Sequence, residues 1–66
     1  MIEPDKEYTI RQLVEENALP RVAATYANYR NYLNTRAAAG DIPLPRKDSH
    51  GHRTRYYRGS DIISIA

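Results

Sequence analysis

His50 and His52 are the side chains of this sequence best suited to metal chemistry, because imidazole nitrogens bind zinc and similar ions. One glycine separates them, and Asp48 lies two residues earlier. A catalytic zinc ion takes three protein ligands and further groups that orient them. The chain has two histidines and no cysteine, so Asp48 is the nearby side chain that could serve as a third ligand. We therefore expect neither a metal site nor a cofactor.

Basic residues are concentrated around these histidines. Residues 43–62 contain five of the ten lysines and arginines. The first twenty residues carry two basic and five acidic side chains, a net charge of −3, whereas residues 21–66 carry eight and three, a net charge of +5. This asymmetry suggests that one surface of the protein meets a polyanion. The histidines are then better explained as groups at a loop tip near phosphates.

Several functional classes find no support in the sequence. It has no paired carboxylates, no nucleophile elbow and no glycine-rich phosphate loop, so we do not expect an enzyme. No apolar run approaches the ~20 residues of a membrane span, and the N-terminus has no apolar signal core. We expect a soluble protein of the cytoplasm, with one domain and a small core.

The first predicted helix covers about residues 10–16, after a flexible lead-in at residues 1–7. Thr9 and Gln12 have the spacing of a capping box, in which each side chain bonds the other residue's backbone N–H. Ile10, Leu13 and Val14 follow as one apolar stripe. The remaining residues, 8–66, are assigned to a single domain.

A second, longer helix is predicted from Pro20, a residue suited to a first helical turn, to a C-cap at Gly40. A break near residues 24–28 is left open. The residues expected to face the core are Val22, Tyr26, Tyr29, Leu33 and Ala37. The opposite arc is small and hydrogen-bonding, and it consists of Arg21, Ala24, Asn28, Asn31 and Thr35, with Thr25 and Tyr32 at its edge.

A β-hairpin is predicted after the second helix. Residues 48–51 have turn chemistry, and the alternation of residues 53–57 is typical of a strand. We expect Tyr57 in the core and Tyr56 more exposed, with Arg55 on the face of Tyr57 but nearer the tip. Residues 59–65 fit either a short helix or a strand.

Two helices joined by a tight turn and followed by a basic hairpin favour a winged helix-turn-helix, mainly α with a small β-hairpin. Asparagine and arginine pair with base edges in DNA, and a narrow basic arm suits a minor groove. The residues predicted to contact DNA are Arg21, Thr25, Asn28, Arg30, Asn31, Arg46, Lys47, His50, His52, Arg53 and Arg55.

The order of the segments YTIRQLVEE, AAAGDIPLPRK and RTRYYRGSDI resembles the winged-helix DNA-binding domains of the MerR-like superfamily, and in particular phage excisionases. The resemblance covers about residues 8–63. It is carried by Gly40, Asp41, Ile42, Pro43, Pro45, Arg53, Arg55, Tyr57, Ser60, Asp61 and Ile62. The segment between helix one and the hairpin exceeds the family pattern by about two helical turns, which leaves the register of the recognition helix open.

The resemblance implies an excisionase, a recombination directionality factor that binds and bends attachment-site DNA so that an integrase excises a prophage or integrated element. The implied partners are double-stranded DNA, the phage integrase and neighbouring copies of the chain on DNA, in a bacterial cytoplasm at the nucleoid. We expect a monomer in dilute solution. The alternatives are a small winged-helix repressor or regulator and a protein-binding module that uses Ile62, Ile63 and Ile65.

Overall fold

A three-stranded antiparallel sheet and three helices make up the regular structure of residues 2–47 and 54–66, the parts of the chain that the computed structural model describes. In chain order the elements are β1 Glu7–Thr9, α1 Ile10–Glu15, α2 Tyr26–Ala38, β2 Arg46–Lys47, β3 Arg55–Arg58 and α3 Gly59–Ile65. The predicted hairpin is present as β2 and β3, and its expected turn lies outside the described residues. The fold is a small α+β fold.

The first strand is the element that the sequence analysis missed. Strand β1 pairs with β3, with Tyr8 opposite Tyr57, so that β3 is central and the strand order is β1-β3-β2. Glu7, which was assigned to the lead-in, belongs to this sheet. The addition of β1 changes the expected mainly α domain with a hairpin into an α+β arrangement, because the sheet now links the N-terminus to the hairpin.

The N-terminal residues lie against the start of α3. The N–H groups of Gly59 and Ser60 donate to the carbonyl oxygens of Lys6 and Pro4, at 2.7 and 3.2 Å. These bonds satisfy donors that the first turn of a helix leaves unpaired. A Cβ atom at position 59 would clash with the carbonyl oxygen of Glu3, so this close approach requires glycine. The C-terminal segment forms helix α3, which is one of the two alternatives that the sequence left open.

Helix α1 begins as the sequence predicts. The N–H of Gln12 donates to Oγ1 of Thr9 at 3.2 Å, and Oε1 of Gln12 accepts from the Thr9 N–H at 2.9 Å, which completes the capping box. The helix ends through Asn17, whose φ of 50° is left-handed, and the Ala18 N–H donates to the Leu13 carbonyl at 3.0 Å. This bond is typical of a Schellman motif, and it turns the chain sharply towards α2.

Helix α2 begins at Tyr26, so the predicted start at Pro20 is wrong. Thr25 is the N-cap, and its hydroxyl accepts from the Asn28 N–H at 3.2 Å. Pro20 instead follows Leu19 in a turn closed by a 2.9 Å bond from the Val22 N–H to the Leu19 carbonyl. Proline's fixed φ suits the second position of such a turn as well as it suits a helix start, so the sequence signal was ambiguous.

The apolar stripe of the second helix is confirmed in its middle and wrong at one position. Tyr29 and Leu33 are fully buried, and Val22 and Ala37 pack partly buried against the core. Tyr26 was expected in the core but is 55% exposed. The predicted end at Gly40 is confirmed: its φ is 82°.

One core, shared by helices and sheet, holds the described elements together. Within it, the buried hydroxyl of Tyr29 accepts from the Leu19 N–H at 3.0 Å and donates to the Leu19 carbonyl at 3.2 Å. This pair of bonds ties the turn between α1 and α2 to α2 itself. The buried apolar residues are Ile10, Leu13, Leu19, Tyr29, Leu33, Ile42, Tyr57 and Ile62.

Tyr29→Phe should lower the free energy of unfolding by about 1–3 kcal/mol, because it leaves the buried N–H of Leu19 without a partner. The Leu19 carbonyl keeps its bond from the Val22 N–H. The matched control is Tyr26→Phe, which removes the same hydroxyl from an exposed ring one helical turn earlier. Denaturant unfolding of both variants measures the difference. Equal stability of the two variants would contradict the role assigned to the Tyr29 hydroxyl.

Candidate nucleic-acid interface

Three arginines line a concave surface where α1, α2 and β3 meet, and we call this surface the basic cleft. Its volume is about 430 Å³, and none of its described lining residues is acidic. Arg11 belongs to α1, Arg30 to α2 and Arg55 to β3. The full lining is Thr9, Ile10, Arg11, Tyr26, Arg30, Thr54 and Arg55. Arg11 faces Glu15 at 3.9 Å, an exposed pair that leaves most of its charge available to the cleft.

Arg55 joins the hairpin to α2. Its Nη1 atom donates to Oδ1 of Asn34 at 3.0 Å, across 21 residues of sequence. Tyr26, Arg30, Asn34 and Ala38 recur at steps of four residues, so they form one stripe along α2 that faces the hairpin. Arg55 also borders a second hollow of about 340 Å³, lined in addition by Asn34, Ala37, Ala38, Leu44, Pro45 and Lys47.

Tyr57 fixes the position of Arg55 by anchoring β3 in the core. It is buried as predicted, whereas Tyr56 is half-buried. Burial raises the pKa of the Tyr57 hydroxyl, and the positive charge of Arg55 opposes that rise. Within the described residues this hydroxyl makes no hydrogen bond, although Arg55 lies close to it. Arg55 is on the Tyr57 face but nearer the hairpin tip, where it leaves the core, as the alternation predicted. The structure adds that it does so beside α2.

The structure brings some of the predicted DNA contacts together at this junction. Arg30 and Arg55 line the basic cleft, and Lys47 is paired with Arg55 across the hairpin. Asn31 and Asn28 are exposed on α2, outside the linings of both hollows.

Other predicted contacts lie elsewhere. Arg21 is exposed in the turn before α2, and Thr25 is the helix N-cap rather than part of a helical face. His50, His52 and Arg53 lie outside the described residues.

Arg46 is on the opposite face of the sheet. Its Nε and Nη2 atoms donate to the two carboxylate oxygens of Glu7, both at 2.9 Å. Its guanidinium also stacks on the ring of Tyr56, 4.6 Å from the centroid. The side chain thus crosses β3 and links the two outer strands of the sheet, and its guanidinium is turned away from the basic cleft.

Sequence reasoning missed Arg11, Tyr26 and Asn34. Arg11 was counted only as one of the two basic residues in the acidic first twenty, and Tyr26 was placed on the core stripe. Asn34 fell between the predicted core stripe and the predicted outer arc. The available signal was the four-residue step from Tyr26 to Arg30 to Asn34, which marks a polar edge beside the core stripe.

Among residues 2–47 and 54–66, no three side chains of histidine, cysteine, aspartate or glutamate are grouped so that they could hold a metal ion. Both members of the histidine pair lie outside these ranges. None of the described helices is long and apolar enough to cross a membrane.

The geometry defines a small α+β domain with a basic junction between a helix and a hairpin. In comparisons with protein-family models, curated proteins and solved structures, no match to this chain was found. The resemblance to phage excisionases stays an expectation of the sequence.

The Glu7–Arg46 pair should make stability depend on pH. The hydrogen bond from Arg46 is the main cause that lowers the pKa of Glu7. The pair therefore stabilises the fold above the unfolded glutamate pKa of about 4.3, and this contribution is lost as the pH falls through the lower pKa of the folded state. The Glu7→Gln variant should be less stable than the parent at neutral pH. The difference between their free energies of unfolding should become smaller as the pH falls through that acidic range.

Thermal melts between neutral and acidic pH measure this deficit. Glu15→Gln is the control, because its partner Arg11 lies 3.9 Å away and both side chains are exposed. A Glu7→Gln deficit that stays constant from neutral pH into the acidic range would show that the carboxylate charge contributes nothing to the pair.

Proposed function

We propose that this chain is a winged helix-turn-helix protein that binds duplex DNA. In this proposal α1 and α2 form the helix-turn-helix, and α2 enters the major groove with Arg55 held beside it. The β2–β3 hairpin is the wing that extends from there towards the neighbouring groove. The observation that carries it is the convergence of α2 and the hairpin on one basic surface, joined by the Arg55–Asn34 hydrogen bond. A protein that contacts two adjacent grooves of DNA at once needs a fixed angle between the helix and the hairpin that contact them.

The chemistry of this surface suits DNA. Arg11, Arg30 and Lys47 provide positive charge for phosphates from three separate elements. The exposed side of α2 carries Asn31 and small residues such as Ala27, which let a helix approach base edges closely. Within the described residues no carboxylate lines the basic cleft, although Glu15 faces Arg11 from outside this lining at 3.9 Å.

We further propose an excisionase, a non-catalytic recombination directionality factor of a bacterial cytoplasm. The resemblance of residues 8–63 supports this narrower function. The protein would bind attachment-site DNA as neighbouring copies and bend it, so that an integrase assembles an excisive complex. Bending a 20–30 bp site smoothly costs on the order of 1–6 kcal/mol, which several bound copies offset together. A small repressor of the same fold would bind DNA through the same surface.

DNA binding should weaken steeply with salt. Four or five phosphate contacts give a log–log slope near about −4, since each contributes about −0.9. Arg30→Gln should lower the affinity for all duplexes and make the slope shallower by about 1. Fluorescence anisotropy with a labelled duplex, from low to moderate salt, measures both quantities.

The matched control is Arg58→Gln, which removes the same charge from the exposed side of β3, away from the basic cleft. It should leave the slope near that of the parent. A parent protein that does not bind duplex DNA, or an Arg58→Gln variant as impaired as Arg30→Gln, would overturn the proposed surface.

An excisionase and a lone repressor differ in assembly on DNA. We expect a monomer in dilute solution and cooperative, bending binding to fragments with two or three attachment sites. Gel shifts on fragments with one, two and three sites, with circular permutation to measure the bend, test this. Equal affinity per site without a bend would favour the repressor, and a stable dimer in sedimentation without DNA would contradict the expected monomer.

A further inference from the structure

Asn34 and Arg55 form a hydrogen-bonded unit that is rich in hydrogen-bond donors. The guanidinium of Arg55 has N–H groups and no acceptor, so the amide oxygen of Asn34 has to face it. The observed bond from Nη1 to Oδ1, at 3.0 Å, has this arrangement. The amide nitrogen of Asn34 and its two N–H groups therefore face away from Arg55. The unit offers a ligand the donors of one amide and the remaining donors of one guanidinium.

The hollow beside this unit has room for a flat acceptor. Its floor is small and apolar, made by Ala37 and Ala38 of α2 and by Pro45. Lys47, the cross-strand partner of Arg55, adds a further donor at its rim. None of its described lining residues is acidic, so no carboxylate of this lining competes for these donors with an incoming ligand.

Among base edges in the major groove, guanine is the best match to such a unit. Guanine presents two acceptors, O6 and N7, whereas adenine presents an acceptor beside a donor and cytosine a donor. An asparagine that reads adenine turns its oxygen to the adenine amino group. In Asn34 that oxygen already accepts from Arg55, which sets the orientation of the amide and leaves one lone pair. Phosphate oxygens also accept hydrogen bonds from arginine, but they can do so for many orientations of the guanidinium. A tether that fixes the guanidinium plane matters most for a base edge.

We propose that Arg55 recognises a guanine through O6 and N7, and that Asn34 is the positioning residue that holds the guanidinium in the required orientation. This inference rests on the proposed DNA-binding function. It assigns the hairpin arginine to base recognition, whereas Arg11 and Arg30 of the basic cleft bind phosphates.

The test uses a duplex selected from random DNA by the parent protein, in which each guanine is replaced in turn by 7-deazaguanine. This base lacks the N7 acceptor and keeps O6 and the Watson–Crick edge. One replacement should weaken the parent's binding by about tenfold. The same replacement should change the affinity of Arg55→Gln or Asn34→Ala by less than about twofold, because the contact is already lost.

A double-mutant cycle separates positioning from general stability. Asn34→Ala and Arg55→Gln should be non-additive in DNA affinity, the double variant losing about as much as Arg55→Gln alone. Asn34→Ala combined with Arg58→Gln should be additive, because Arg58 lies on the other side of β3. Asn34→Gln, which keeps an amide oxygen, should recover part of the affinity that Asn34→Ala loses. Additive losses in the first cycle would overturn the positioning role.

The possible failures are distinguishable. If the parent selects no sequence and binds no duplex, the proposed function fails. If it binds but no 7-deazaguanine replacement matters, while a neutral methylphosphonate at one position abolishes the effect of Arg55→Gln, Arg55 binds a phosphate and only the present inference is wrong.

Discussion

The buried hydroxyl of Tyr29 is the interaction on which the arrangement of this protein depends most. It bonds to both backbone groups of Leu19 and so holds the turn between α1 and α2 against the second helix. Buried backbone groups without partners are costly, so an alternative course of this turn would have to replace both bonds. The position of Arg11 on α1 relative to Arg30 on α2 follows from this constraint.

The central strand β3 has the corresponding role for the hairpin. Tyr57 enters the core, and Arg55 on the same face leaves it beside Asn34. On the other face, Tyr56 supports the guanidinium of Arg46, which reaches Glu7 on the far strand. One short strand therefore sets both the depth of the sheet in the core and the direction of the hairpin. This explains how a two-residue strand such as β2 is kept in place in so small a protein.

The sequence predicts the local parts of this structure better than the parts made by distant contacts. The capping box at Thr9 and the left-handed Gly40 depend on neighbours within a few residues, and both are confirmed. The burial of Tyr57 is also confirmed, because the local alternation of its strand was enough to predict it. Strand β1 depends on a partner about fifty residues away in the sequence, and the bond of Arg46 to Glu7 spans 39 residues. The start of α2 failed for another reason, because Pro20 fits a turn and a helix equally well and only Thr25 decides between them.

The same difference applies to the candidate interface. Alternation in the hairpin predicts the side on which Arg55 leaves the core, but the sequence does not predict that Asn34 meets it. Charge counting is also a coarse guide, since it finds a basic segment without showing which cations are paired. In the structure Glu7 pairs with Arg46 and Asp41 with Arg36, whereas no described carboxylate forms an ion pair with Arg30, Lys47 or Arg55. Apart from Glu15, which faces Arg11 of the basic cleft at 3.9 Å, the acidic side chains of these pairs lie away from the helix–hairpin junction. In the proposed function this pairing, more than the net charge of the segment, favours the junction as the place where a polyanion binds.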